Sequence, residues 1–231
     1  MLAGKSVLVI GASGVLGAEF CAQLMVSGAI VSGTAKNAES SRNLRTDLAA
    51  RLLVDLESPA GISALTNYLT SLPTPVDGII LVAGLVAFGS AGETPSAITT
   101  RLMQVNALGQ IQLVQELLPK LQESASAGRA PFVVSISGVI SEKPMAGLAA
   151  YSASKTALHG YYTAASKEFK KLGIAWVDAR PGHTETGLAG RAIFGTAPNF
   201  GAGLVPEHVV SRILQGIANA EADLPSAAFQ Q

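Results

Sequence analysis

A short apolar run, Ser6-Val-Leu-Val-Ile10, leads directly into Gly11-Ala-Ser-Gly14-Val-Leu-Gly17, and an apolar helical stretch follows to about Ser27. Strand, glycine turn and helix in immediate succession restrict the fold more than any other feature of the chain. In that context the three glycines allow a tight turn, a close backbone approach to a ligand and close packing of helix on strand. The helix start then offers unpaired N–H groups and a positive dipole end, which suits a pyrophosphate. Gly11, Ser13, Gly14, Val15, Leu16 and Gly17 are the expected contacts. With 24 Gly in 231 residues, the spacing alone arises by chance in roughly one chain in five. Its place directly after the first strand is what gives it weight.

The alternation then continues. Ala29 to Thr34 reads as a second strand, followed by a helix from about Ala38 to Ala49, strand Leu52 to Val54 and a helix from Ser58 to Ser71. Next come strand Gly78 to Ala83 and a long helix, about Ser96 to Glu123, whose last turns Pro119 should bend. Strand Phe132 to Ser137, a helix from Tyr151 to about Leu172 ended by Gly173, and strand Ile174 to Ala179 complete the pattern, with a helix from Pro206 to about Ala220 and a final strand at Leu224 to Phe229. Unbroken apolar runs suit parallel strands covered on both faces. Alternation at this spacing implies right-handed crossovers and a Rossmann-type doubly wound α/β sheet of about seven strands, with helices on both faces. A composition 48% hydrophobic and 14% charged supports a large core, and no repeat or linker divides residues 1–231, so one domain is expected.

Lys+Arg and Asp+Glu are both 16, which gives no reason to expect a nucleic-acid or membrane-surface partner. No run reaches the roughly 18 apolar residues of a membrane helix, and Met1 to Lys5 runs straight into a strand, so the expectation is a soluble, cytoplasmic protein. The single Cys21 falls in a predicted helix and reads as core packing. His159 and His208 have no Cys or His at ligand spacing, so no metal is expected.

Ligands of such sheets bind at the carboxyl ends of the strands. There the chain places the glycine turn, Asp55, Ala83-Gly84, Ser137 and the loop after Ala179. In NAD-selective sites an acidic residue about 20 positions past the first glycines takes the ribose 2′-hydroxyl, whereas a basic one accommodates the NADP phosphate. Here that region is Thr34-Ala35-Lys36-Asn37. Lys36 therefore favours NADP(H), with NAD(H) still acceptable; the alternative is an exposed loop lysine. Asp55 is either a ligand contact or an N-cap, a task for which Ser58 competes.

Tyr151-Ser-Ala-Ser-Lys155 supplies the chemistry. At about 3.6 residues per turn, the phenol and the ammonium share one helix face. A tyrosine pKa is normally about 10, and a neighbouring cation makes the phenol a usable proton donor and acceptor. With four Tyr and eight Lys, the pair arises by chance in roughly one chain in seven, so its surroundings decide its meaning.

Taken in order, the Gly11 to Gly17 turn, Asp55, Ala83-Gly84, Asn106 in Val-Asn-Ala-Leu-Gly109, a serine strand, Tyr151-Ser-Ala-Ser-Lys155 and Pro181-Gly182 with Thr186 resemble the short-chain dehydrogenase/reductase family over nearly the whole chain. The resemblance implies that Tyr151 exchanges a proton with the substrate oxygen while hydride passes to or from a nicotinamide. It implies that Lys155 lowers the phenol's pKa and holds the ribose, that Asn106 positions a water, and that a serine hydrogen-bonds the substrate oxygen. It adds Leu56, Ala83, Gly84, Pro181, Gly182, Thr184 and Thr186 to the cofactor contacts, and a homodimer or homotetramer through the two long helices.

Three departures stand out. The glycine spacing is Gly-x-x-Gly-x-x-Gly, and Leu81-Val-Ala-Gly84 replaces the family's frequent Asn-Asn-Ala-Gly, which removes an amide that ties this strand to its neighbours. The third concerns the serine: thirteen residues before Tyr151 stands Gly138, with Ser137 beside it. Ser137 is the expected catalytic serine only if the strand end twists or bulges, and Ser141 is the second choice. His183 either contacts substrate or faces solvent; Glu185 and Thr186 shape its loop, and residues 183–203, with Phe194 and Phe200, are a candidate flexible lid over an apolar substrate. The expected function is interconversion of a carbonyl and a secondary alcohol. The alternatives are a cofactor sensor without turnover and, less compatible with the chain's length, a lyase or epimerase.

Overall fold

Strand residues alternate between two faces, and both faces are apolar here. Val7 and Val9 point to one side while Leu8 and Ile10 point to the other, and all four are buried. A strand of this kind is stable only between two layers of helices. The computed structural model, which describes residues 2–230, shows that arrangement. Strands β1 (Ser6–Ile10), β2 (Ile30–Ala35), β3 (Ala50–Leu53), β4 (Gly78–Leu81), β5 (Phe132–Ile136), β6 (Ala175–Ala179) and β7 (Asp223–Leu224) form one parallel sheet in the order β3-β2-β1-β4-β5-β6-β7.

One face packs Phe20 and Leu24 of α1 (Val15–Val26) and Val210 and Ile213 of α6 (Pro206–Ala218) against Val7, Val9, Val31 and Val134. The other packs Ile62 of α2 (Pro59–Ser71), Leu113 and Leu117 of α4 (Gly109–Ser126) and Phe169 of α5 (Ala149–Lys171) against Leu8, Ile79, Val133 and Trp176. Cys21 is fully buried in the first cluster, and burial pushes its thiol up to about 12, which leaves it unreactive. Among the described residues no helix is long and apolar enough to cross a membrane.

Strand order reverses between β2-β1 and β4-β5, which opens a crevice above the carboxyl end of β1.

Three expected elements differ. The helix from Ala38 to Ala49 is only a single turn at Ser40–Asn43, because Asn37 Oδ1 accepts the Ser40 N–H and Ser40 Oγ accepts the Asn37 N–H. Side chains that bond the local backbone in this way compete with helix. The long helix is divided into α3 (Ser96–Met103) and α4 by a widened turn at Gln104–Leu108, the segment that holds Asn106. The last strand ends at Leu224, since Pro225 follows and Ser226–Phe229 forms a tight helical turn. Ser58 caps α2, its hydroxyl accepting the Gly61 N–H.

Candidate active site

Gly11 leaves β1 with φ at +93°, and a Cβ there would lie 2.7 Å from Ala83 N, so only glycine lets the β1 and β4 ends meet. A Cβ on Gly17 would lie 2.1 Å from Gly11 O; helix and turn touch there. Gly14 is different. A Cβ on it would meet nothing closer than Gly11 O at 3.5 Å, and no side chain caps the helix it begins. The open glycine at an uncapped helix start fits a phosphate group. The buried Thr34 of β2 fixes the turn by accepting the Gly11 N–H at 3.1 Å.

From this turn a cleft of about 1030 Å³ runs along the strand ends. It is lined by Gly11, Ser13, Gly14, Val15, Leu16, Gly17, Lys36, Asp55, Leu56, Ala83, Gly84, Tyr151, Lys155, Pro181, Gly182, Thr184 and Thr186. Beside β2, Lys36 Nζ lies 2.5 Å from Glu57 Oε1 and 3.6 Å from Asp55. Arg101 grips Glu57 with two further bonds of 2.9 and 3.0 Å. Those Arg101 bonds, aided by Lys36, hold the Glu57 carboxyl at about 2 against the opposing effect of burial. The Asp55 carboxylate accepts the Glu57 N–H at 2.9 Å, which stiffens the corner.

At the other end of the cleft α5 carries Tyr151 and Lys155 one turn apart. Lys155 is buried, and its Nζ donates to the Ile136 carbonyl at the end of β5, at 2.8 Å. Burial lowers its ammonium to about 8, opposed by the charge of Asp178. Burial pushes the Tyr151 phenol up to about 12. Both groups thus favour their uncharged forms more than in water. Around Tyr151 the wall is apolar, made by Val86, Phe88, Ile140, Leu148, Leu188 and Phe200.

A glycine turn after β1 and a Tyr-Lys pair on the helix between β5 and β6 are held by one parallel sheet, and a profile of short chain dehydrogenases matches residues 5–193. The chain belongs to the short-chain dehydrogenase family. It is 28% identical over 241 residues to Dehydrogenase/reductase SDR family protein 7-like of Anopheles gambiae, spanning 96% of this chain and 75% of that one. It is 34% identical over 174 residues to the rhamnolipids biosynthesis 3-oxoacyl-(acyl-carrier-protein) reductase of Pseudomonas aeruginosa, spanning 72% and 68% of the two chains. Among solved structures, the short-chain dehydrogenase from Sphingobium yanoikuyae in complex with NADPH superposes with a TM-score of 0.85 at 21% identity, covering 96% of this chain and 87% of that one. The 3-ketoacyl-(acyl-carrier-protein) reductase from Brucella melitensis complexed with NADH gives 0.86 at 20% identity, covering 97% of each. These two likenesses establish the fold.

Against this short-chain dehydrogenase background, the expectation for Ser137 is not met. Its hydroxyl is fully buried, lies outside the cleft and donates to Asp178 Oδ2 at 2.6 Å. Regular alternation carries it to the side of Ser135, which donates to the same carboxylate, and leaves position 138 at the cleft. Gly138 turns the chain with φ at +73° and ψ at 162°, a region essentially reserved for glycine, and faces the cleft with no side chain. Ser141 does not replace it: its hydroxyl donates to the Gly138 carbonyl and contacts Ser137 Oγ, outside the cleft. Asn106 also stays behind the wall. Its Nδ2 donates to the Leu85 carbonyl and Ser154 Oγ, and its Oδ1 accepts the Leu85 N–H, so it joins the β4 exit to α5. A Cβ on Gly84 would lie 3.3 Å from Asn106 Oδ1 and 3.5 Å from Lys155 Nζ, which keeps that contact small.

The amide missing after β4 is supplied from elsewhere, since the buried Gln110 donates to the Ala83 carbonyl at 2.9 Å. Gln110 lies at the start of α4, and its amide also donates to the Val105 carbonyl of the widened turn at 3.2 Å. Backbone hydrogen bonds tie the loop over the site to the cleft wall and to itself. The Ile193 N–H donates to the Val86 carbonyl, the Phe88 N–H to the Phe194 carbonyl, and the Leu204 N–H to the His183 carbonyl. His183 lines the cleft and stacks on Phe200 with ring centroids 5.0 Å apart, while Nε2 sits 3.8 Å from Glu185. Thr184 Oγ1 donates to the Gly182 carbonyl, and Thr186 Oγ1 accepts the Leu188 N–H.

Proposed function

We propose that this protein is a nicotinamide-dependent oxidoreductase that interconverts a carbonyl and a secondary alcohol, with Tyr151 as the general acid and base. One observation carries the reading: Tyr151 and Lys155 stand one turn apart in a cleft whose far end is the uncapped glycine turn. The turn residues would hold the pyrophosphate, Asp55 and Leu56 the adenine side, and Lys155 with Ala83, Gly84 and the Pro181 to Thr186 loop the nicotinamide ribose and ring. When bound, the nicotinamide supplies or accepts the hydride.

For reduction, a phenol held protonated by burial donates its proton to the carbonyl oxygen, and the Lys155 ammonium beside it stabilises the phenolate that results. Proximity and exclusion of water by the apolar wall do the rest. The wall has no carboxylate near Tyr151, so uncharged, largely apolar carbonyl compounds fit. With Gly138 in the serine's place, Tyr151 is the side chain that addresses the oxygen. The NADP(H) preference rests on Lys36, which is half-exposed at the end of β2 and would exchange Glu57 for the 2′-phosphate; NAD(H) remains a second cofactor. We further propose that the chain acts as one domain in a cytoplasmic homodimer or homotetramer, with residues 183–203 covering the substrate.

Gly138 favours a second reading, a cofactor sensor without turnover. Both are tested by following NADPH and NADH oxidation against a panel of ketones and aldehydes, with fluorescence titration of each cofactor. The expected result is turnover with at least one apolar carbonyl, tighter NADPH than NADH, and a loss of about a thousandfold or more in Tyr151→Phe with NADPH affinity kept. Cofactor binding without turnover would establish the sensor, and unchanged turnover in the mutant would exclude Tyr151.

A further inference from the structure

Ser137, the serine expected to hold a substrate, is instead gathered with Ser135, His159 and Arg180 around one carboxylate. Asp178 of β6 is fully buried. Its Oδ1 accepts the Ser135 hydroxyl at 2.7 Å, and its Oδ2 accepts Ser137 at 2.6 Å and Arg180 Nη1 at 3.1 Å, with His159 Nδ1 at 2.8 Å. Ser135 and Ser137 flank Ile136, and the Ile136 carbonyl is the acceptor of Lys155 Nζ. Lys155 and His159 are one turn apart on α5, so the same helix face touches the strand end at the carbonyl and at the carboxylate.

We propose that Asp178 is a positioning residue for Lys155: by gripping both neighbours of Ile136 and the next turn of α5, it fixes the carbonyl that receives the lysine ammonium. The inference rests on the reading of Lys155 given above for its functional meaning, and on geometry alone for its existence. Pairing with β6 and the Gly138 N–H bond to the Ala179 carbonyl already hold the strand end, and the two serine ties add a second restraint on a charge-assisted bond that is sensitive to misplacement.

The surrounding charges add a second effect. Arg180 is the cation of the cluster and is divided among Asp178, Asp223 and Glu142. His159, the Tyr162 phenol, whose hydroxyl donates to the Ala222 carbonyl, and the exposed Lys167 face this cluster from α5. Asp178, fully buried behind β5, is the carboxylate whose charge favours Lys155 as the ammonium.

The test follows Lys155 directly, so that it does not depend on finding a substrate. The side-chain methylene resonance of Lys155, identified by its loss in Lys155→Arg, is titrated in the cofactor-free protein. A midpoint of about 8 is expected for the wild type. Asp178→Asn keeps the shape and removes the charge, and should lower the midpoint by on the order of half a pH unit or more. Ser137→Ala keeps the charge but releases one tie, and should lower it by less. A midpoint unmoved in Asp178→Asn overturns the proposal. Should that variant not fold, an unmoved midpoint in Ser137→Ala overturns it equally. Absence of dehydrogenase activity, by contrast, would refute the proposed reaction and leave this titration readable.

Discussion

On one side of the β5 terminus the Tyr151 hydroxyl makes no hydrogen bond with a described residue, Gly138 presents bare backbone, and the walls are Val86, Phe88, Ile140 and Leu148. On the other, within one residue along the chain, Asp178 receives Ser135, Ser137 and Arg180 and touches His159. The first side leaves polar groups unpaired and pays in desolvation; the second saturates a buried charge. A group meant to react with a ligand is kept without protein partners, whereas a group meant to hold the scaffold cannot be left without them. The side chain at 137 falls on the saturated side, and that is what keeps it out of the cleft.

The contrast can be broken most severely from the saturated side. Arg180→Met would leave Asp178, Asp223 and Glu142 without their shared cation, at a cost on the order of 3–5 kcal/mol for an uncompensated buried charge. Thermal unfolding should show a fall of roughly 10 °C. A melting point within a degree or two of wild type would mean that the cluster holds little. A smaller loss is expected at the turn between the two sides. Gly138→Ala has room, its Cβ meeting only Pro181 O at 3.8 Å, but not the backbone conformation. About 1–3 kcal/mol of strain should appear as a lower midpoint in denaturant. An unchanged midpoint would show that the inverted backbone is not needed.

The cleft side is sharpened by pH. The Lys155 ammonium is depressed to about 8 in the folded, cofactor-free protein, against an ordinary 10.5. Between those values the unfolded chain binds more protons, so the burial penalty is relieved and stability rises as pH rises through this window. Activity moves the opposite way. Once the ammonium is lost nothing stabilises the phenolate, so kcat/KM for carbonyl reduction should fall above pH 8; a flat profile to pH 10 would remove Lys155 from the mechanism. The smallest effect belongs to Ser137→Ala, which should change turnover by no more than about threefold, whereas loss of a true substrate hydrogen bond costs on the order of a hundredfold.

Much of this molecule is legible in its sequence. Buried runs such as Val7 to Ile10 and Gly78 to Leu81 carry their own instruction, since residues apolar on both strand faces need helices on both sides. The Gly11 to Gly17 turn and the Tyr151–Lys155 spacing are equally local, because backbone sterics and helical period act within a few residues. The outcomes that sequence periodicity could not set involve partners far along the chain. Lys36 meets Glu57 and Arg101 joins them across 44 positions, Gln110 takes over an amide bond to Ala83, and Ser137 finds Asp178 41 residues later. The face of Ser137 follows from its two-residue spacing from Ser135, but the carboxylate that receives both is decided only when strands are brought side by side. The chain alone therefore determined the sheet, the glycine turn and the Tyr-Lys pair; the tertiary structure decided which hydroxyl, carboxylate and lysine each of them would have as neighbours.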